Sequence, residues 1–349
     1  MAPNVTLADI AKQLGVSKTT VSLALRNKPG VSEETRRLVL DTAQRMGYQE
    51  KASRAASKSD TRSIFFLYFG SDDGRQDIDG IGLGYLDGVQ SAAENLNLQV
   101  TIDYLVHGGE IGLSFEMLKT KRTKAIGALL VGLKNEEDPS LAEVRQLNVP
   151  LVIVNRYWPT SDLSFVSVDY EQAEASAVKH LAGLGHRKVA FVSLNKDVEY
   201  SWYQQRRDGY LIGLENERCV SDSRFVIHAT SATQAIDLLV NQATDATAIC
   251  ASNDTVAIAL INELRARGIQ VPRDMSVVGF DNDGRLPAAE PPLTTVDYDE
   301  FDIGYWAVRA LIEQSSKSSL SRLHVVVKTN LVERESCAPP RKGSLLNSQ

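Results

Sequence analysis

The sequence reads as a small all-α head of helix-turn-helix type followed by an α/β body built on parallel sheets. Three observations carry that reading. Residues 1–60 hold ten Lys/Arg and six Asp/Glu, a net +4, so the chain's overall −6 conceals a basic tip on a body of −10. Within the tip, apolar residues recur at helical spacing. From Ser63 onward, short apolar runs alternate with longer amphipathic stretches, the rhythm of strands covered by helices on both faces.

In the head, Thr6 can cap a first helix that carries Leu7, Ile10, Ala11 and Leu14 on one side. Gly15 breaks it. Ser17 caps a second helix running through Val21, Ala24 and Leu25, and Pro29-Gly30 makes a turn. Ser32, with Glu33 and Glu34 behind it, opens a third helix expected to turn Leu38, Ala43 and Met46 inward and to end near Gly47. Residues 49–62 (QEKASRAASKSDTR) lack large apolar side chains and are expected to form a linker.

In the body, strands are expected at Ile64–Phe69, Leu98–Leu105, Ile126–Val131, Leu151–Val154, Lys188–Leu194, Phe225–His228, Ala248–Ala251 and Ser276–Phe280. Helical patterns fall at Tyr85–Leu96, Tyr170–Leu184, Gln204–Glu215, Thr233–Val240 and Val256–Arg267. Periodicity alone fits one large sheet, a barrel or two smaller doubly wound lobes.

Composition and motifs exclude several classes of function. With 349 residues, 43% hydrophobic and 23% charged, the chain is neither disordered throughout nor fibrous. Its longest apolar run, Ala125–Leu133, is far short of the roughly 20 residues that span a bilayer. No secretory signal is readable at the start, and Cys219, Cys250 and Cys337 are too scattered for a disulfide scaffold or a zinc site, which points to the cytoplasm. Gly80-Ile-Gly-Leu-Gly84 lacks dinucleotide-loop spacing, HExxH and GxSxG do not occur, and no nucleophile stands beside an evident base. Neither an enzyme nor a cofactor or metal protein is expected.

The head carries chemistry of another kind. A small residue (Ala11) falls where two helices cross, Gly15 in the tight turn and Val21 in the angle between the helices. The second helix then presents Lys18, Thr19, Thr20, Ser22 and Leu23 from its N-terminal side, the end that a recognition helix pushes into the major groove. Hydroxyls can exchange hydrogen bonds with base edges there, and Leu23 can meet a thymine methyl. Arg26, Asn27, Lys28, Arg36 and Arg37 are candidates for phosphate contacts.

The stretch VTLADIAKQLGVSKTTVSLALRNKPGVSEETRRLVLDTAQRMGY (Val5–Tyr48) resembles the DNA-binding head of the lactose/galactose-repressor (LacI/GalR) family of bacterial transcription regulators. The resemblance continues through HLAGLGHRKVAFV (His180–Val192), Arg206-Arg-Asp-Gly209-Tyr, SNDTVAIALINELRARGIQVPRDMSVVGFDND (Ser252–Asp283) and PPLTTVDYDEFDIG (Pro291–Gly304), so it covers residues 5–335. It implies two doubly wound parallel-sheet lobes of periplasmic-binding-protein type, a homodimer whose paired heads read a palindromic operator, and a small sugar-like effector in the interlobe cleft. The expected divisions are residues 1–48 for the head, 49–62 for the linker and 63–335 for the body. The N-lobe is expected at about 63–165 and 297–328, the C-lobe at about 166–296 and 330–335, and a flexible tail at 336–349.

DNA contacts are expected at Thr6, Ser17, Lys18, Thr19, Thr20, Ser22, Leu23, Asn27, Arg36 and Arg54, and the resemblance implies effector contacts at Phe69, Ser71, Asn155, Arg206, Asn253 and Asp281. Asp72 would line the same wall as Ser71, and Trp202, Tyr203, Tyr157 and Trp158 offer rings for stacking on a sugar. Local alternatives exist: Asn253 can cap the helix after it, and Arg206 can pair with Asp208 or Glu215. One departure is visible. Where the family commonly carries a hinge leucine that wedges into the minor groove, Ser57 stands here, which predicts a linker that tracks the groove through Arg54 and Lys58 but bends DNA less. Two further readings use the same residues: a regulator controlled by a protein partner, and a solute-binding receptor.

Overall fold

The computed structural model describes residues 7–14, 16, 21, 33–46, 62–70, 81–106, 125–194, 198–243, 245–284, 286–316 and 322–341. The chain divides into two compact units, residues 1–61 and 62–349. Among the described residues no helix is long and apolar enough to cross a membrane.

In the first unit, α1 (Leu7–Leu14) and α2 (Glu33–Arg45) close around Ile10, Ala11, Val21, Val39 and Ala43. Ala11 and Val21 both lie in this cluster, and Val16 N–H donates to the Ala11 carbonyl at 3.1 Å as the chain leaves α1. The expected inward face of α2 needs a correction: Leu38 is 53% exposed, while Val39 is fully buried. The apolar stripe therefore runs 39, 42, 43, 46, with Thr42 buried inside it, and Leu38 is one helical step (about 100°) off that face.

Among the described residues the second unit holds two six-stranded sheets. The first contains β1 (Ser63–Gly70), β2 (Gln99–Val106), β3 (Ala125–Val131), β4 (Leu151–Val154), β5 (Ser164–Val168) and β11 (His324–Val327), in the order β11-β5-β4-β3-β1-β2 and parallel throughout. The second contains β6 (Val189–Leu194), β7 (Val226–Ala229), β8 (Ala248–Ala251), β9 (Ser276–Asp281), β10 (Thr294–Tyr298) and β12 (Thr329–Val332), in the order β12-β10-β9-β8-β6-β7. All its pairings are parallel except β10 with β12. Two doubly wound lobes are thus the arrangement adopted.

Because the central strands are buried on both faces, they read as continuous apolar runs. On β1, Ile64 and Phe66 point into a cluster that continues into the second lobe through Phe191 and Phe280. Phe65, Leu67 and Phe69 point the other way, into a cluster belonging to the first lobe alone. Helices α3 (Ile81–Asn95) and α9 (Glu300–Ser316) cover the first sheet; α5 (Tyr170–Gly183) and α6 (Ser201–Asn216) pack on each other in the second lobe, whose far side is covered by α7 (Ala232–Gln242) and α8 (Asp254–Ala266). The short helix α4 (Pro139–Arg145) is capped by Asp138.

Four strands beyond the eight expected from periodicity, β5, β10, β11 and β12, set where the chain passes between lobes. The passages fall at Asp169, Asp299 and Lys328, so the first two come a few residues later than anticipated. A flexible tail from Ser336 does not describe its first six residues. Ser336 is fully buried, accepting from Thr294 N–H at 2.8 Å and donating to the Val277 carbonyl at 2.5 Å, and Ala338 N–H donates to Ser276 Oγ at 3.1 Å. His186 lies within hydrogen-bond distance of Thr247 Oγ1 (2.8 Å), Ser276 Oγ (3.1 Å) and the Ala338 carbonyl (2.9 Å), and holds this segment down.

Candidate functional site

In open parallel sheets, ligands sit beyond the C-terminal ends of the strands, where strand order reverses. Here the reversals lie between β1 and β3 and between β6 and β8. Loops leaving β4, β8 and β9 bring Asn155, Ser252, Asn253 and Asp281 to that end, and α6 brings Arg206. Two of these residues have unusual backbones: Asn155 at φ 56° and Asp281 at φ 110°, followed by Asn282 at φ 52°. Asn and Asp tolerate positive φ better than other non-glycine residues, which fits their use at these sharp exits from strands.

Arg206 is the centre of the site. It is 4% exposed; its NH2 donates to Asp281 Oδ1 at 2.8 Å and its NH1 to the Ser252 carbonyl. Its guanidinium carbon lies 3.6 Å from the Phe280 ring centre, 4.6 Å from that of Trp202 and 5.1 Å from that of Tyr170. The Nε–H is buried without a hydrogen-bond partner among the described residues. The alternative pairing with Asp208 is taken by Arg207, at 2.8 Å.

Two more carboxyls stand close by, and the sequence reading named neither of them. Glu174 on α5 is 1% exposed, and burial pushes its carboxyl up to about 8 against the pull of Arg206. Asp254 accepts from Thr295 Oγ1 at 2.6 Å and from Asp283 N–H at 3.0 Å, and burial, then the charge of Asp281, raises it to about 7. A Glu on an amphipathic helix and an Asp in a first helical turn read as solvated or capping residues. The one available hint was the apolar register around Glu174, between Ala173 and Ala175.

The other expected effector residues separate. Asn155 is buried, and its carboxamide is engaged at both ends: Oδ1 accepts from Tyr170 OH at 2.7 Å, and Nδ2 donates to Tyr85 OH, which lies 3.3 Å from Tyr298 OH. Asn253 caps α8, its Oδ1 accepting from Val256 N–H at 2.9 Å. Phe69 is not wall but core, 3% exposed and clustered with Leu133 and Trp158. Among the four proposed stacking aromatics, Trp202 meets Arg206; Tyr203 is buried and stacks on His228 at 5.0 Å, Tyr157 packs edge-on against Phe165 at 5.5 Å, and Trp158 is buried with its indole N–H on Ser201 Oγ at 3.0 Å. Ser71 and Asp72 lie outside the described residues. So do Thr6, Ser17, Lys18, Thr19, Thr20, Ser22, Leu23, Asn27 and Arg54; Arg36 is placed on α2, but its side chain is outside the described set. Among the described residues no group of three or more His, Cys, Asp or Glu could hold a metal.

Comparison with known proteins bears on both units. Residues 6–50 match the family model described as bacterial regulatory proteins, lacI family, and residues 178–337 match a periplasmic binding protein-like domain. The chain is 26% identical to catabolite control protein A of Priestia megaterium over 341 residues, 95% of this chain and 99% of that protein. It is 28% identical to the HTH-type transcriptional repressor CytR of Escherichia coli K12 over 316 residues, 88% of this chain and 89% of that one. Among solved structures, a complex of the transcriptional regulator CelR with cellobiose superimposes with a TM-score of 0.67 at 25% identity, covering 95% of this chain and all of that one. The lac repressor dimer bound to operator and the anti-inducer ONPF has the same fold, with a TM-score of 0.66 at 21% identity over 96% of this chain and all of that one.

Proposed function

Because the chain belongs to the LacI family of bacterial regulatory proteins and so is a DNA-binding regulator of transcription, we propose that it is a cytoplasmic repressor that binds a palindromic operator as a homodimer. A small polyhydroxylated metabolite, a sugar or sugar derivative, controls it from the junction of the two lobes. The observation that carries the effector reading is the Arg206–Asp281 pair at the strand ends, with Arg206 buried and its Nε–H unpartnered among the described residues. A buried donor without a partner costs free energy, which a ligand oxygen would offset. Beside it Asp281 is an acceptor and Trp202 a stacking face, and together these suit a ring bearing vicinal hydroxyls. Two-fold pairing of the heads has its own rationale, because one short recognition helix makes few base contacts. That the relatives are transcription regulators supports a protein without catalytic chemistry of its own.

A thermal-shift panel of sugars, sugar phosphates and purines on the full chain tests the effector reading. A bound compound raises the melting temperature by mass action. The expected result is a shift with one class in the wild type that disappears in Arg206→Ala while DNA binding persists. A shift that survives in Arg206→Ala would move the site elsewhere. Silence across the panel would favour a protein partner, a reading that the aromatic cover on Arg206 also suits.

A further inference from the structure

Among the described residues the two lobes meet along two polar seams. One, the Tyr85–Asn155–Tyr170–Tyr298 cluster, sits beside the passages of the chain: Tyr170 follows Asp169 and Tyr298 precedes Asp299. The other involves no residue of a passage. Ser201 N–H donates to the Lys134 carbonyl at 2.8 Å, and Trp158 Nε1–H to Ser201 Oγ at 3.0 Å. Gln205 Nε2–H donates to the Tyr157 carbonyl at 2.5 Å. Lys134 Nζ pairs with Glu199 at 2.5 Å, and the Arg156 guanidinium lies 5.5 Å from the Tyr200 ring centre. Every first-lobe partner comes from the loops leaving β3 and β4, and every second-lobe partner from residues 199–205, the start of α6 and the turn before it.

We propose that the start of α6 is a latch between the lobes, and that Ser201 and Gln205 are positioning residues for Arg206. The latch is polar, so water can replace its hydrogen bonds when the lobes part, whereas the apolar core that continues between the lobes through Phe191 and Phe280 resists separation. A helix moves as a rigid unit. Arg206 follows Gln205 directly and lies little more than a turn beyond Ser201, so the hold of α6 on the first lobe decides where the Arg206 guanidinium stands. Gln205 Oε1, buried without a partner among the described residues, marks the same seam. The proposal rests on the effector reading only for what Arg206 holds; the fastening needs no ligand.

Hydrogen–deuterium exchange of the full chain without ligand tests it, with Gln205→Met and Ser201→Ala compared against wild type. Each variant is expected to speed exchange of Leu133–Asp138 and of the Ser201 amide by about fivefold or more, the weight of one such hydrogen bond, while Ala248–Ala251 in the second-lobe core stays unchanged. Leu133–Asp138 belongs to the other lobe and does not touch Gln205, so a role confined to the folding of α6 would not move it. Unchanged exchange there, or an equal rise at Ala248–Ala251, overturns the proposal. Should both variants fail to fold, Glu199→Gln, at the surface, removes the charge that pairs with Lys134. It is expected to raise exchange at Leu133–Asp138 alone, and no rise there would refute the latch. The ligand panel and this ligand-free measurement fail independently.

Discussion

Glu174 shows how burial converts one carboxyl into a pH sensor of stability. In the folded chain its proton is held up to about 8, far above the ordinary 4.5, because burial disfavours the charge more than Arg206 favours it. The unfolded chain releases that proton near pH 4.5. Stability is therefore fully present below that pH and is lost progressively as the pH rises toward 8. Asp254, raised to about 7, acts in the same direction. Glu174→Gln has no proton to lose, so in urea unfolding it is expected to match wild type at pH 5 and to exceed it at pH 8 by on the order of 1–3 kcal/mol. Equal losses in both proteins between those pH values would mean that Glu174 is ionised in the fold. Individual side chains were unevenly legible from sequence. Arg206 and Asp281 stood out through their motifs, but which group each would touch depended on the meeting of α6 with β9, 75 residues apart in the chain. Asn155 and Asn253 have the polar chemistry of ligand contacts, and each also has a structural partner that the sequence alone did not decide: buried tyrosine hydroxyls at Asn155 and a helix N-terminus at the Asn253 Oδ1.

Elements were legible where hydrophobicity is continuous and obscure where it is interrupted. The central strands run nearly unbroken in apolar residues, whereas β5 (SFVSV) and β10 (TTVDY) are interrupted by polar residues, two of which bond across to neighbouring segments: Leu323 N–H donates to Ser164 Oγ at 3.1 Å, and Arg334 N–H to Thr294 Oγ1 at 2.9 Å. The segment after β12 misleads for the same reason. Its Pro, Ser and charged residues suggest a loose end, but Ser336 supplies bonds that β9 and β10 would otherwise lack. In Ser336→Ala, Thr294 N–H and the Val277 carbonyl each lose a buried partner, so denaturant unfolding is expected to show a loss of about 1–3 kcal/mol; a tail without structural weight would show none. His186 gives this clamp an acid limit. Burial lowers its affinity for a proton, so the stability it contributes is present above the ordinary histidine pKa and falls away as the pH drops below it.

For the molecule as a whole, the separation of charge between a basic tip and an acidic body is expected to govern how it holds DNA. Each phosphate contact releases condensed counterions, so affinity falls steeply with salt, and Arg36→Ala should weaken all sequences alike and flatten the slope by about one contact. Thr19 and Leu23 face base edges in the reading given above, so their replacement should change which operator is preferred instead. The linker leads to a sharper expectation. A side chain wedged into a base step opens the minor groove because its apolar bulk replaces the lost stacking, and a serine cannot do this. With Ser57 at that place and Arg54 and Lys58 near it in sequence, the linker is expected to keep its attraction for the groove without the wedge. Fluorescence energy transfer between labelled ends of a bound operator should therefore report a shallower bend than in a relative with the leucine, and Ser57→Leu should steepen it. Bending has an elastic cost of order 1–6 kcal/mol that depends on the sequence deformed. The wild type should accordingly discriminate less than the Ser57→Leu variant between flexible and stiff central steps. A bend equal to the relative's, unchanged by Ser57→Leu, would show that another side chain opens the groove.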